Sequence, residues 1–197
     1  MIEAIVLAAG LSRRMGKQNK LSLAFRETTI LQHTLSNLLQ SKVDQIHLIL
    51  GHEADQIQTL VQDFSIHIVV NEAFQAGQLT SIQKGLSALS KDCQAFMVCL
   101  SDMPFLESVD YNLLIDTYQE SNEKSIIVIP KTEERSGNPK LFSIDFKPIL
   151  LDLSPTAHKG ARKILKQYQE EIIYCPANEH FFMDIDTPEA YARLHKI

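Results

Sequence analysis

The sequence has few cysteines, and none of them are closely paired. Three cysteines occur among 197 residues, at positions 93, 99 and 175, and there is no CxxC motif. An odd and widely spaced set argues against both a disulfide framework and a cysteine-based zinc site. Because Cys99 and Cys175 lie in apolar runs, we expect them to be buried thiols, which fits a reducing cytoplasm.

The chain also lacks a long apolar run. A membrane-spanning helix needs about 20 mostly apolar residues in succession, and no stretch approaches that length. Met1, Ile2 and Glu3 lead directly into a strand-like run with no basic segment before it, which is not the pattern of a signal peptide. We therefore expect a cytoplasmic protein.

An excess of positive charge is absent as well. The chain has 19 Lys and Arg against 24 Asp and Glu, for a net charge of −5. Proteins that bind duplex nucleic acid usually carry a basic excess, so this class is disfavoured. The composition is ordinary for a soluble globular protein. Because no linker, repeat or low-complexity segment interrupts the chain, we expect a single domain over residues 1–197.

Short apolar runs alternate with segments of helical periodicity over the first two-thirds of the chain. The pattern predicts strands at residues 2–7, 46–50, 66–70, 96–100 and 126–129, with helices near 30–39, 57–64, 79–89 and 109–120. Later it predicts short strands at 138–142, 172–174 and 181–185, a helix at 161–168, and a last helix with Thr187 as N-cap and Pro188 in its first turn. This alternation predicts an α/β fold of three α/β/α layers, with a mostly parallel, Rossmann-like sheet.

Polar and small residues follow four of the predicted strands. They are residues 8–10, 51–52, 71–72 and 101–102. Ligands of open parallel sheets bind at the carboxyl ends of the strands, so these four places are the first candidates for a functional site.

The segment after the first strand, residues 7–20, carries four positive charges and no negative one. Small residues at positions 8–10 let a ligand approach the backbone, where N–H groups can bind phosphate oxygens. The spacing is neither that of a Walker A loop nor that of a dinucleotide fingerprint. The segment is therefore either an anion-binding loop or a solvated basic loop without a ligand.

Three aspartates are candidate metal ligands. Asp102 follows an apolar strand, while Asp184 and Asp186 alternate on a second apolar run and so share one face. Mg²⁺ in a nucleotide site takes one or two carboxylates together with phosphate oxygens. Asp102 can instead belong to a turn before Pro104, and Asp186 can orient the following helix.

Several motifs together resemble the nucleotidyltransferases that make nucleoside-diphosphate compounds, and most of all the molybdenum cofactor nucleotidyltransferase family. The motifs are Leu7-Ala8-Ala9-Gly10 with Ser12, Arg14-Met15-Gly16 and a nearby lysine, then residues 77–81, 100–104, 137–139, 160–162 and 184–188. The resemblance covers nearly the whole chain, and it implies the fold of the nucleotide-diphospho-sugar transferases. It is closest to the molybdenum cofactor cytidylyltransferases.

The resemblance implies a Mg²⁺-dependent enzyme that transfers a nucleoside monophosphate and releases pyrophosphate. The implied catalytic residues are Arg14, Lys20 and Asp102, and the implied metal ligands are Asp102, Asp184 and Asp186. The implied nucleotide-binding residues are Leu7, Ala8, Ala9, Gly10, Ser12, Arg14, Lys20, Gly77 and Ser81. An attacking phosphate is already ionised near pH 7, so the mechanism needs no general base, and His52 and His67 are interpreted as ordinary surface or strand-end residues.

The resemblance also suggests the substrates. Ala9 adds a methyl group where guanylyl members typically have glycine, which favours CTP over GTP. The implied acceptor is molybdopterin, the expected state is a monomer, and a molybdoenzyme is a possible partner.

The sequence departs from the family pattern at three places. Three residues instead of two separate Gly16 from Lys20, so either Lys17 or Lys20 can contact phosphate, and we favour Lys20. Asn138 and the basic pair at 158–159 depart from the family on the acceptor side. The alternatives are therefore a methylerythritol-phosphate or sugar-phosphate enzyme, a non-catalytic nucleotide-binding or cofactor-delivery protein, and a glycosyltransferase with its metal motif at 184–186.

Overall fold

The computed structural model describes residues 1–15, 19–123, 125–154 and 160–194. The strands are β1 (Ile2–Ala8), β2 (Ala24–Phe25), β3 (Thr28–Thr29), β4 (Gln45–Leu50), β5 (His67–Val70), β6 (Ala95–Leu100), β7 (Ile127–Lys131), β8 (Lys140–Ser143) and β9 (Ile172–Pro176). The α-helices are α1 (Ile30–Leu39), α2 (Ala54–Leu60), α3 (Gln78–Ala88), α4 (Ser108–Glu120), α5 (Phe146–Leu151), α6 (Gly160–Gln167) and α7 (Pro188–Leu194). Short 3-10 helices cover Arg13–Met15, Lys20–Ser22, Phe74–Ala76 and Glu179–Phe182.

Seven strands form one sheet in the order β5-β4-β1-β6-β8-β7-β9. Neighbours are parallel except at β8, which runs antiparallel to both β6 and β7. Strands β2 and β3 form a separate antiparallel pair. The predicted α/β class with a mostly parallel sheet is confirmed.

Helices cover both faces of the sheet. Successive residues of the central strand β1 point to opposite faces, so apolar side chains of this strand are buried by helices on both sides. Ala4 and Val6 join the core that α1, α2 and α4 complete, while Ile5 joins the core formed with α3, α5 and α6. Gly85 lets α3 lie directly on the sheet, since a Cβ there would come within 2.4 Å of the Ile5 side chain. The result is the three-layer arrangement that the sequence predicts.

The predicted strand at 181–185 is wrong. A 3-10 helix occupies Glu179–Phe182, where the Asn178 side chain accepts a hydrogen bond of 2.9 Å from the His180 N–H. This local cap, together with the buried Phe181 ring, wins over sheet pairing. The segment still reaches the sheet, because the Ile185 N–H donates to the Asp102 carbonyl at 3.0 Å.

Some smaller elements differ from the sequence prediction and others agree with it. Helix α5 lacks a clear sequence signal and was not predicted, and strand β8 begins two residues later than expected. Thr187 caps α7 as predicted, because the Ala190 N–H donates to its Oγ at 3.2 Å. All three cysteines are buried and free, and burial raises the pKa of the Cys175 thiol to about 11. In the described parts of the chain no helix is long and apolar enough to cross a membrane.

Candidate active site

A cavity of about 330 Å³ opens at the carboxyl ends of the central strands. Strands β4 and β6 lie on opposite sides of β1, so the residues after these three strands meet along one edge of the sheet. The cavity is lined by Leu7, Ala8, Ala9, Gly10, Ser12, Arg14, Lys20, Leu21, Phe74, Gln78, Ser81, Leu100, Ser101, Asp102, Asp184 and Asp186. Except for Gly77, every residue that the resemblance implied as catalytic, metal-binding or nucleotide-binding lines it.

Asp102 is anchored where β6 ends. The Ser101 hydroxyl donates to the Leu7 carbonyl at 2.6 Å and so ties the end of β6 to β1. The Asp102 side chain is only 9% exposed. Burial raises the pKa of this carboxyl, and the neighbouring Lys20 ammonium opposes the effect without cancelling it.

The carboxylates of Asp102, Asp184 and Asp186 form one group, called here the carboxylate cluster. Each offers an oxygen within 4.8 Å of the others. Burial and the like charge of its neighbours raise the pKa of Asp184. Such a set of hard oxygen donors beside a nucleotide-sized cavity fits a divalent cation.

Lys20 lies between two members of this cluster. Its Nζ donates to the Asp186 carboxylate at 2.5 Å and also to Asp102, and its side chain is 15% exposed. Burial lowers the pKa of this ammonium, but the two carboxylates outweigh it and the net pKa is raised. Asn19 holds the turn, since its side chain accepts from the Leu21 N–H at 3.1 Å and donates to Glu53 at 2.9 Å.

Arg14 makes the second cationic contact. Its guanidinium donates to the Asp186 carboxylate, while most of the side chain, 67%, stays exposed. Burial raises the pKa of Asp186. Its contacts with Lys20 and the nearby Arg14 lower this pKa by a larger amount, so the net pKa lies below the ordinary value. Lys20 and Arg14, the two residues predicted to bind phosphate, thus contact candidate metal ligands. Lys17, the alternative ligand, lies outside the described residues.

The β4 side of the cavity is uncharged. Ala9 and Phe74 both line this side of the cavity. The buried Asn71 connects the loop that carries Phe74 to helix α3. The Asn71 side-chain amide donates to the hydroxyls of Thr80 and Ser81 at 2.9 and 3.0 Å. Sequence reasoning marked residues 71–72 as a strand end but missed Phe74, because a single aromatic residue in a loop carries no periodic signal.

A second cavity of about 420 Å³ shares Gln78 and Leu100 with the first. Its other lining residues are Ile82, Val98, Ser136, Asn138, Lys140, Phe142, Leu150 and Leu165. Asn138, which the resemblance placed on the acceptor side, is therefore next to the candidate active site. Of the segment at 160–162 the structure describes the backbone, which begins α6.

Fold and site together define an α/β protein with a crevice at its central strand ends that is lined by three carboxylates and by the cationic side chains of Lys20 and Arg14. Residues 4–172 match the family model of the MobA-like NTP transferase domain. The chain belongs to this family of nucleotidyltransferases, as the sequence motifs predicted.

Relatives along almost the whole chain include enzymes of both base specificities. The chain is 29% identical over 197 residues to the molybdenum cofactor cytidylyltransferase of Escherichia coli (strain K12), covering 96% of this chain and 93% of that protein. It is 28% identical over 201 residues to a probable molybdenum cofactor guanylyltransferase of Methanosarcina mazei, covering 94% and 86%. The crystal structure of Rv0371c in complex with manganese, from Mycobacterium tuberculosis H37Rv, is similar with a TM-score of 0.82 and 25% identity, covering 99% and 98% of the two chains.

Proposed function

We propose that this protein transfers CMP from CTP to the phosphate of a molybdopterin acceptor and releases pyrophosphate, with Mg²⁺ bound at the carboxylate cluster. The observation that carries the proposal is the joint placement of Lys20, Arg14 and three carboxylates around one cavity. A site that only bound an uncharged ligand would have no use for this density of charge.

The charged residues have separate proposed roles. Asp102, Asp184 and Asp186 would hold the cation, and Lys20 and Arg14 would contact the triphosphate once nucleotide is present. When bound, Mg²⁺ supplies positive charge that stabilises the charge developing on phosphate oxygens. Small residues at 8–10 allow the nucleotide to approach the backbone.

The proposed reaction is an in-line displacement at the α-phosphorus. An oxygen of the acceptor phosphate forms the new bond to this phosphorus, the bond to the β-phosphate oxygen breaks, and pyrophosphate leaves with its electron pair. The attacking phosphate is ionised near pH 7, so no side chain has to remove a proton. The protein contributes positioning and charge stabilisation, which dominate catalysis of phosphoryl transfer.

The choice of CTP and molybdopterin rests on narrower support. For the base, Ala9 would place a methyl group where a larger base needs space. For the acceptor, the relatives named molybdenum cofactor cytidylyltransferase and guanylyltransferase match 96% and 94% of this chain, which favours molybdopterin with either base. The second cavity adjoins the first at Gln78 and Leu100, so an acceptor bound there could present its phosphate to the nucleotide.

Pyrophosphate release tests the proposal. We expect release that requires Mg²⁺ and molybdopterin and is fastest with CTP among the four nucleoside triphosphates. Preference for GTP would make the protein a guanylyltransferase. Pyrophosphate release with a methylerythritol or sugar phosphate, but not with molybdopterin, would identify that phosphate as the acceptor. Nucleotide binding without any release would instead indicate a delivery protein.

A variant pair tests the site itself. Lys20→Ala should reduce turnover about 100-fold or more, because a preorganised charge contact to the transition state is lost. Lys42→Ala is the matched control, since Lys42 forms an exposed ion pair with Asp116 at 2.6 Å. Near-normal turnover of Lys20→Ala would remove Lys20 from the proposed mechanism.

A further inference from the structure

The lining of the cavity separates charge from apolar surface across the sheet. The carboxylate cluster and Lys20 lie at the end of β6, on one side of β1, whereas Gly51 follows β4 on the other side. Adjacent strands are about 4.8 Å apart, so these two sides are separated by roughly 10 Å. A nucleotide that spans the cavity with its triphosphate at the charged side would direct its base toward the β4 side.

Phe74 is the one aromatic side chain among the described lining residues of this cavity. It lies in the 3-10 helix Phe74–Ala76, between β5 and α3, and it is half-buried. Aromatic rings are favourable partners for nucleobases because each base has a flat face on which a ring can stack.

Gly51 explains why the ring lies where it does. A Cβ at position 51 would be 2.7 Å from both Cβ and Cγ of Phe74 and 2.8 Å from the Cβ of Ala9. Phe74 and Ala9 therefore pack against the same bare stretch of backbone. We call these three residues the Phe74 wall.

The wall is held in place from the loop side. The Ala73 carbonyl accepts hydrogen bonds from the Ala76 N–H at 3.0 Å and from the Thr80 hydroxyl at 3.1 Å, and the Ala73 N–H donates to the Asn71 side chain at 3.1 Å. These contacts order the residue immediately before Phe74. The backbone that carries the ring is therefore held at this boundary of the cavity.

We propose that Phe74 is a specificity-determining residue, which meets the nucleobase and limits the uncharged side of the cavity to a single-ring base. This inference rests on the proposed function. The Ala9 methyl group narrows the β4 side of the cavity. The Phe74 ring, which packs against Gly51, forms the boundary of the cavity beyond that methyl group. A two-ring base has to displace the wall, whereas a pyrimidine contacts it.

Phe74→Ala tests the wall. The variant should lower kcat/KM with CTP about 10-fold, because the ring contact with the base is lost. With GTP the loss should be smaller or reversed, since the cavity is larger, so the preference for CTP over GTP falls about 10-fold. Binding of Mg²⁺-tripolyphosphate, which has no base, should stay unchanged, because the charged side of the cavity is untouched.

His52→Ala is the matched control. The His52 ring is 6.3 Å from the Phe74 ring, between centroids, and His52 is absent from the cavity lining. The control should keep the wild-type preference for CTP over GTP.

Gly51→Ala is a second test of the Phe74 wall, because the added methyl group would displace the Phe74 ring from its position. This variant should bind CTP more weakly and should retain tripolyphosphate binding. Thermal unfolding identifies a variant that has not folded.

The outcomes separate this inference from the proposed function. A wild-type protein that binds neither nucleotide nor tripolyphosphate would reject both. A wild-type protein that turns over CTP, combined with an unchanged CTP-to-GTP ratio in folded Phe74→Ala, would reject the wall alone. Equal losses for CTP, GTP and tripolyphosphate would also reject it, because the residue would then act on the whole site.

Discussion

Two clusters of charged side chains lie toward opposite ends of the central strand β1, and they differ in burial and in how their charges are balanced. Near the start of the strand the Glu3 cluster, formed by Glu3, His47 and Ser90, is enclosed in the core. The Glu3 carboxylate contacts the His47 ring at 2.7 Å and accepts from the Ser90 N–H at 3.2 Å and from its hydroxyl. The Glu3 side chain is fully buried.

At the other end, the carboxylate cluster has three acidic groups and two contacting cations, Lys20 and Arg14. It opens into a cavity, and the pKa values of its members diverge, raised for Asp102 and Asp184 and lowered for Asp186. A buried carboxylate with several hydrogen-bond donors, such as Glu3, contributes to the stability of the fold. An open set with surplus negative charge is instead suited to bind a cation that the chain does not supply.

Of the two clusters, the carboxylate cluster should show the largest effect on turnover when one of its members, Asp102, is substituted. Asp102→Asn is expected to reduce pyrophosphate release about 100-fold or more, because a metal ligand is lost. Its free energy of unfolding should stay the same or increase, since burial disfavours the charged form. Turnover and urea unfolding on the same preparation check both parts, and a large loss of stability would make Asp102 a structural residue.

Substitution of Glu3 should give the opposite pattern. Glu3→Gln is expected to lower the free energy of unfolding by about 3 kcal/mol, because it removes the charge of a buried carboxylate that accepts hydrogen bonds from Ser90. Turnover at a temperature where the variant is folded should be unchanged. Strongly reduced turnover of folded Glu3→Gln would show that the two ends of β1 are coupled.

The Glu3 contribution should also depend on pH in a defined direction. Burial raises the pKa of Glu3, but hydrogen bonds from Ser90 and His47 outweigh it, so the pKa lies below its ordinary 4.5. A lowered carboxyl pKa stabilises the fold fully above that ordinary value, and the contribution disappears as pH falls through the native pKa. The stability difference between wild type and Glu3→Gln should therefore shrink below pH 4.5.

Removal of the Lys20 charge should have the smallest of these effects, a change in the metal affinity of the carboxylate cluster. Lys20→Met is expected to bind Mn²⁺ about 10-fold more tightly than wild type without nucleotide, because the ammonium competes for the same oxygens. Titration followed by electron paramagnetic resonance measures this directly. Lys42→Met should match wild type, and weaker Mn²⁺ binding by Lys20→Met would contradict the competition.

Much of the fold was predictable because it depends on local pattern. The run around Ile5 and the helical spacing of residues 30–39 mark β1 and α1 without further information. The prediction failed at 181–185, where an apolar run suggested a strand but the Asn178 cap and the buried Phe181 produced a 3-10 helix. Helix α5 was missed because a segment of six residues shows too little periodicity.

The candidate site was predictable to the extent that strand ends identify it. Asp102, Asp184 and Asp186 were expected near one another, and the structure brings them together by the backbone contact between Ile185 and Asp102 rather than by a paired strand. Phe74 carried no such marker, whereas Ser81, a partner of Asn71, was identified through the resemblance.

Local sequence pattern was enough to predict most of the strands and helices and the residue types that follow the strands, since these depend on neighbours a few positions apart. The tertiary structure alone decided which distant residues meet. Lys20 contacts Asp186 across 166 positions, Glu3 meets His47 across 44, and Phe74 rests on Gly51. These contacts follow from strand order and crossover packing, and for that reason the charge balance and shape of the site exist only in the folded chain.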